Sequence, residues 1–573
     1  MISTVWSIIN SKDNSSPAIL APYGNPLTYG EFKSQALHTA YQLYNYGLNK
    51  DSKVAIVAYG PEMAVMTMAA MSFFVANPFS LNSKARELEK YFQLCDPSVL
   101  VAMEGCQEAL EAAKNVRIPI IYLKQRHNGF VGSFSLFNQH SRELNAKEAA
   151  ITFPSPDDRS LFLLTSGATA DPKVVLLKHR NLYAAAKGLA EDMGLNSKDM
   201  GLNPGMPLHH AGALCVNLLT SFYAGGSVYL LPEWGGGKSF ANTITQNPIT
   251  WMSGIDGHYR SIALSCKTDG GYRNMVKNHQ MKVLRIGSTP STGELIDMIA
   301  NTFPNARPFV GYGLTEAPGY IGYMLTPDDI AEHRKSKNNN GFLCRLPHSG
   351  LDIKIIGDDG NPVPEGTPGE MVIKGSKVTD GYLVTPSNPQ VNEASYTADG
   401  YLKTGDLVVQ RNVALYLVGR CKDVIRYHAE TIIPAEVEDV LKSHEPLLKD
   451  RPVYVFGIPN KLDEYARQAV AVVIQLDEES LSDKGKVNAL CSNLKTICQD
   501  NLQGFKIPTV WIFTDKVPTA GQLNKITRNN MHNAFGLRDM DQVGKVRREL
   551  SSFTGPLIWL KNQLQASEVI VRG

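Results

Sequence analysis

The chain has 573 residues, too many for one hydrophobic core, so about two to four domains are expected. Hydrophobic residues make up 43% and charged residues 20%, an ordinary globular balance, and a formal net charge of +2 argues against nucleic acid or an anionic membrane as the main partner. The eight cysteines are scattered and include no Cys-x-x-Cys pair, which fits a reducing compartment and excludes a recognisable zinc site or disulfide framework. Met1–Ser16 lacks both a basic segment and a long apolar run, and Met63–Phe79, interrupted by Asn77-Pro78, is too short to span a bilayer comfortably. A cytoplasmic protein without a membrane span is therefore expected.

Residues 1–160 alternate amphipathic helices with short apolar runs. Thr28-Tyr29-Gly30-Glu31-Phe32 opens a helix that runs to about Tyr46 and ends at Gly47. Val54–Tyr59 and Val99–Ala102 read as strands, and Met63–Phe79 as a buried helix leading into a strand or turn. From 161 onward the alternation is regular: helices over Asn181–Met193, Ala211–Tyr223, His258–Leu264 and Thr292–Thr302, and strands over Ser227–Leu231, Thr250–Ser253, Val283–Ile286 and Pro308–Gly311. Such alternation predicts doubly wound parallel sheets with ligands at the strand C-termini. Between about 345 and 418 the runs become short and turn-rich, which predicts a small antiparallel sheet or β-barrel-like subdomain. After Gly419-Arg420 the α/β alternation resumes, with helices over Pro434–Leu441 and Lys486–Leu502 and strands over Val453–Phe456, Gln468–Ile474 and Val510–Phe513. A further helical stretch starts near Ile526, and a tail follows about residue 535. The division expected is an N-terminal domain over 1–420 and a small mobile α/β domain over 421–573.

Chemistry concentrates in five stretches. In Leu161–Leu177, two apolar runs flank a loop in which Thr165, Ser166 and Thr169 offer hydroxyls, Gly167 allows close backbone approach and Lys173 adds a point charge. Such a nest suits a polyphosphate, with an ordinary polar hairpin as the alternative. Gly311-Tyr312-Gly313-Leu314-Thr315-Glu316 follows an apolar strand and offers an aromatic face for a purine, a hydroxyl for phosphate and a carboxylate for Mg²⁺. Thr404-Gly405-Asp406 places a carboxylate on a turn, where it suits both ribose hydroxyls. Gly419-Arg420-Cys421-Lys422-Asp423 sits where the two textures meet and reads as a hinge or an interdomain loop. Pro518–Arg528 is a turn with a lysine feeding a helix.

In this order and spacing, Thr-Ser-Gly…Pro-Lys, Tyr-Gly-x-Thr-Glu, Thr-Gly-Asp and Gly-Arg-x-Lys-Asp resemble the adenylate-forming enzymes, among them acyl-CoA synthetases, adenylation domains of peptide synthetases and luciferases. The resemblance spans about Thr28 to Met531. It implies attack of a carboxylate on the α-phosphorus of ATP, giving acyl-AMP and pyrophosphate, then transfer to coenzyme A or a carrier-protein pantetheine. It assigns Thr165, Ser166, Gly167, Thr169 and Lys173 to the triphosphate and Ser288, Tyr312, Gly313, Thr315, Asp406 and Arg420 to the rest of the nucleotide. Glu316 would bind Mg²⁺, Lys422 would be the hinge, and Lys525 would be the catalytic lysine. His210, in Pro207-Leu208-His209-His210, would contact the acid or simply be packed. Ser253–Gly257, Ile286–Pro290 and Val310 would wall the acyl pocket.

Several positions depart from the family pattern. Ala170 and Val174 replace loop glycines; if either needs φ > 0, a β-branched Val costs about 1–3 kcal/mol. His428-Ala429 replaces the glycine pair beside the pantetheine path, which bears on thioester formation more than on adenylation. At the lysine, Asn524 replaces a glycine, and a second alignment puts Gly521-Gln522 on Gly-Lys. No acidic residue occurs over Ala211–Leu231, which disfavours an α-amino acid held by such a carboxylate. The reading is an ATP-dependent acid–thiol ligase acting on a small carboxylic acid. Transfer to an amine or other nitrogen nucleophile, and a degenerate nucleotide-binding homologue without catalysis, are the alternatives.

Overall fold

The structure is a computed structural model that describes residues 3–126, 129–165, 172–287, 293–319, 342–345, 351–412, 414–427, 430–459, 468–518, 528, 531–535, 537, 557–561 and 568–572. Two seven-stranded sheets carry the N-terminal part. In the first, the strands run in the order Phe134–Phe137, Ile120–Gln125, Val99–Met103, Lys53–Val57, Val75–Pro78, Arg159–Leu164, Val174–Lys178. Its centre is parallel, and its two ends are antiparallel hairpins. The helix Gly60–Phe73 feeds this sheet and is buried on every side, with only Gly60 not fully enclosed; its pattern is apolar all round rather than amphipathic. The strand Val75–Pro78 follows at once, as Met63–Phe79 predicts.

The second sheet runs Arg307–Gly311, Val283–Gly287, Trp251–Gly254, Met200–Asn203, Ser227–Leu230, Pro17–Leu20, Leu27–Thr28 and is parallel except for its last pair. Helices pack on both faces, so the doubly wound α/β expectation holds. The helix Tyr29–Asn45 starts at a capping box in which Thr28 and Glu31 satisfy each other's backbone N–H groups. Gly47 follows at φ 104°, a conformation that a side chain rarely adopts.

One expected α-helix has a different form. Ala211–Tyr223 is a π-helix over Gly212–Leu219 that relaxes into an α-turn over Thr220–Ala224. The wider winding sits between the two sheets, where a π segment commonly marks a functional position.

The β-rich stretch forms a five-stranded antiparallel sheet in the order Phe342–Arg345, Ala414–Arg420, Leu402–Arg411, Gly369–Lys374, Asp352–Ile356. Beyond Arg420, a last sheet combines Val453–Pro459, Gln468–Gln475 and Val510–Thr514 with Glu568–Arg572 and Leu557–Lys561. The tail residues thus add two strands to this sheet. Its helices Pro434–His444 and Lys484–Asn501 pack against the core strands around Trp511 and Phe513. The seven cysteines whose side chains are described are all free. No described helix is long and apolar enough to cross a membrane.

Candidate nucleotide-binding site

The phosphate-loop stretch is a hairpin at the edge of the first sheet, with Leu164 opposite Val174. Its mouth is closed by two bonds: Thr165 N–H donates to the Lys173 carbonyl at 2.9 Å, and Lys173 N–H donates to Thr165 Oγ1 at 3.1 Å. Ser166, Gly167, Thr169 and Ala170 lie outside the described residues. The expected cost at Val174 does not arise, because Val174 sits in the strand with negative φ and its side chain is buried in the core.

A distant segment completes this edge. Leu176 N–H donates to the Gly381 carbonyl and Leu383 N–H to the Val174 carbonyl, so residues 381–383 run beside the strand. That places Tyr382 under Lys173, whose Nζ lies 4.6 Å above the ring and donates to Ser395 Oγ at 2.9 Å. The Tyr382 hydroxyl donates to Glu316 Oε1 at 2.7 Å. Burial, with the Glu316 charge beside it, pushes the Tyr382 hydroxyl pKa up and keeps it a donor. Thr379 N–H holds the Glu316 carbonyl at 2.8 Å. Lys173 and Glu316, assigned from separate motifs, are therefore linked through Tyr382. Neither Tyr382 nor Ser395 stands out in the sequence, because the partners lie 66 and 222 residues away.

Glu316 and Thr315 occupy a tight turn bridged by Leu314 and Ala317, directly after the strand Arg307–Gly311. Upstream in the same loop, the Tyr312 hydroxyl donates to Asp406 Oδ2. Asp406 stands opposite Arg420 on paired strands, and Arg420 Nε approaches its Oδ1 at 3.1 Å. Gly405, at φ 70°, turns the chain so that its N–H meets Glu370 while its carbonyl accepts from Cys421 N–H. Asp406 is 2% exposed. Burial raises its pKa, while Arg420 and the Tyr312 hydroxyl act against that rise; the Glu316 charge adds to it, so the two clusters adjoin. Lys422 is exposed in the turn after Arg420, where Asp423 N–H donates to the Arg420 carbonyl at 2.9 Å.

His210 precedes the π-helix and accepts from Leu214 N–H with its carbonyl. Its ring lies 4.3 Å from that of His209, whose pKa is pushed down to about 3 by burial and by His210. Ser288, Lys525, Gln522, His428 and Ala429 lie outside the described residues. Arg528 grips Glu438 with two bonds of 3.0 and 2.9 Å and feels the charge of Asp423, in the turn bearing Lys422.

A single carboxylate hydrogen-bonded through one oxygen fits a hard divalent cation that takes its other ligands from phosphate oxygens and water. No cluster of three or more His, Cys, Asp or Glu placed to cage a metal occurs among the described residues.

The family model for AMP-binding enzymes matches residues 10–383. The chain belongs to the AMP-binding enzyme family. Its relatives include a feruloyl-CoA synthase of Amycolatopsis sp, 26% identical over 93% of this chain and 98% of the relative. An oxalate–CoA ligase of Saccharomyces cerevisiae is 25% identical over 88% of this chain and 91% of its own. The fold is also that of the O-succinylbenzoate coenzyme A synthetase of Bacillus subtilis solved with ATP and magnesium, at a TM-score of 0.73, 22% identity, and coverage of 93% of this chain and 99% of that one. As an AMP-binding enzyme it uses ATP to activate a carboxylic acid, and the fold and family expectations both hold.

Proposed function

We propose that this AMP-binding enzyme activates a small carboxylic acid as acyl-AMP and passes the acyl group to coenzyme A. The observation that carries the site assignment is the joining of motifs remote in sequence: Lys173 to Glu316 through Tyr382, and Tyr312 to Asp406 and Arg420. An acid anion attacking a polyphosphate needs opposed charge and fixed donors rather than a covalent nucleophile. Lys173, with the loop hydroxyls of Thr165, Ser166 and Thr169, grips the β- and γ-phosphates. Glu316 holds Mg²⁺, which offsets the charge that builds on the phosphates. Thr315 meets the α-phosphate. Tyr312 packs on adenine, with Gly313 and Ser288 beside it. Asp406 receives the ribose hydroxyls, with Arg420 holding its charge in place. His210 faces the acid, and Lys525 attends the α-phosphate during transfer. Domains over 1–420 and 421–573, joined at Lys422, and a cytoplasmic location complete the reading; the scattered cysteines, free at the seven described positions, support that location.

Relatives named for coenzyme A ligation over nearly their whole length support a thiol acceptor. A carrier-protein pantetheine presents the same thiol. The test is ATP–pyrophosphate exchange with a panel of acids, followed by coenzyme A consumption. Acid-dependent exchange and loss of free thiol are expected. Absence of exchange with every acid despite ATP binding refutes the enzymatic reading, and exchange without thiol consumption redirects it to another acceptor. Lys525→Ala is expected to lower exchange by about two to three powers of ten and Gln522→Ala to leave most of it.

A further inference from the structure

Tyr382 is fixed in place through its main chain. Its N–H donates to Asn392 Oδ1 at 2.8 Å, and its carbonyl accepts from Asn392 Nδ2 at 3.0 Å. On either side, the Gly381 carbonyl accepts from Leu176 N–H and Leu383 N–H donates to the Val174 carbonyl. Thr379 Oγ1 adds a bond of 2.6 Å to the Leu176 carbonyl. The segment is therefore docked on the hairpin by groups that owe nothing to the Tyr382 hydroxyl. The residue is 4% exposed, and a phenylalanine would fill nearly the same volume.

The hydroxyl serves Glu316 instead, donating to Oε1 at 2.7 Å across 66 residues of sequence. The same segment also grips the Glu316 main chain, because Thr379 N–H donates to the Glu316 carbonyl at 2.8 Å. The neighbouring phenol of Tyr396 donates to the Thr379 carbonyl at 2.9 Å. A glutamate side chain ends in a torsion with broad minima, so an unanchored carboxylate samples many orientations. One bond from a rigid, buried donor fixes its plane and leaves the second oxygen for a cation. The ring carries a second group. Lys173 Nζ stands 4.6 Å over its face and donates to Ser395 Oγ at 2.9 Å. The lysine thus lies on the face of the ring and the carboxylate at its hydroxyl end. Opposite charges in one small site attract each other and pair; here one ring seats both and keeps the lysine for phosphate oxygens and the carboxylate for the cation.

We propose that Tyr382 is a positioning residue of the triphosphate site: its hydroxyl sets the Glu316 carboxylate for Mg²⁺ and its ring seats Lys173 for the phosphates, so that metal and triphosphate bind as a coupled pair. This rests on the site assignment of the proposed function and adds to it a residue that acts through Glu316 and Lys173.

The test is calorimetric ATP binding by the full chain, without acid and at stepped Mg²⁺ concentrations, beside AMP binding without metal. Tyr382→Phe keeps the ring and loses only the hydroxyl. It is expected to raise the Mg²⁺ concentration that half-saturates ATP binding about tenfold to a hundredfold, the range for loss of a partner that orients a metal ligand. AMP binding, assigned to Tyr312 and Asp406, is expected to stay unchanged. Tyr382→Leu removes the seat of Lys173 as well and is expected to weaken ATP a further two- to fivefold at saturating Mg²⁺, about the worth of one cation–π contact. In a Glu316→Gln background, Tyr382→Phe is expected to add no further shift, since the hydroxyl acts through the carboxylate. An unmoved Mg²⁺ dependence in Tyr382→Phe overturns the inference, as does an added shift in the Glu316→Gln background. Equal weakening of ATP and AMP, the mark of a general loss of packing, overturns it too. Equal ATP affinity of the Phe and Leu variants overturns the role assigned to the ring. A shifted Mg²⁺ dependence in a protein that shows no exchange with any acid overturns the adenylation reading and leaves the positioning role standing.

Discussion

Asp406 shows how one residue's burial and its proposed role bear on each other. Lost solvation raises its pKa, and the Arg420 charge and Tyr312 hydroxyl pull in the opposite direction. The folded protein thus holds its proton to a higher pH than the unfolded chain does, so ionisation of Asp406 costs stability above the ordinary carboxylate range. Receiving ribose hydroxyls requires the ionised form. The KM for ATP is therefore expected to rise as pH falls through this raised pKa, above the ~4 of a free aspartate. Tyr312→Phe removes a donor that favours the carboxylate and is expected to move that acidic limb to higher pH. A KM profile unmoved by Tyr312→Phe would count against the assignment. Asp406 and Glu316 were legible in the sequence because each sits in a short contiguous motif. Tyr382 and Ser395 were not, because their contacts arise only when the 381–383 segment pairs with the hairpin.

At the scale of the element, local chemistry was the readable part. The capping box of Thr28 and Glu31 and the glycine after the helix mark that helix within a residue or two. The run Gly212–Leu219, apolar except for Asn217, has no period that separates α from π winding. The phosphate-loop hairpin gives the sharpest lesson. The family pattern suggests a glycine at Val174, yet here the position is a buried strand residue whose carbonyl accepts from Leu383. Val174→Gly is accordingly expected to destabilise the protein rather than relieve it. Loss of the buried side chain and the added freedom of the unfolded chain together amount to about 2–4 kcal/mol. Equilibrium denaturation measures this, and a gain in stability would show that the valine is strained after all.

At the scale of the whole molecule, the proposed chemistry makes conflicting demands on one pocket. Lys525 is needed at the α-phosphate in the first half-reaction, and a thiol must reach the acyl carbon in the second. One chain meets both demands if the part beyond Arg420 turns about a short joint. The turn at 421–423 suits this: Lys422 is exposed, and Asp423 N–H ties back to Arg420 at the end of its strand. The Arg426–Asp358 ion pair crosses the same joint at 2.9 Å on the surface, where such a pair is worth no more than about 1 kcal/mol and yields readily. The change of texture at this point was visible in the sequence, because short turn-rich strands give way to α/β alternation. The hinge at Lys422 was read from the family resemblance instead, since a rotation depends on backbone torsions at one or two residues that no composition or period encodes. Proline at position 422 fixes φ near −65° and removes one N–H, which restricts the joint without altering the nucleotide contacts. Lys422→Pro is therefore expected to retain most ATP–pyrophosphate exchange while thioester formation falls at least about tenfold, about 1.4 kcal/mol at the second step. Equal loss in both half-reactions would place the pivot elsewhere, and no loss in either would mean that the second step needs no rotation at Lys422.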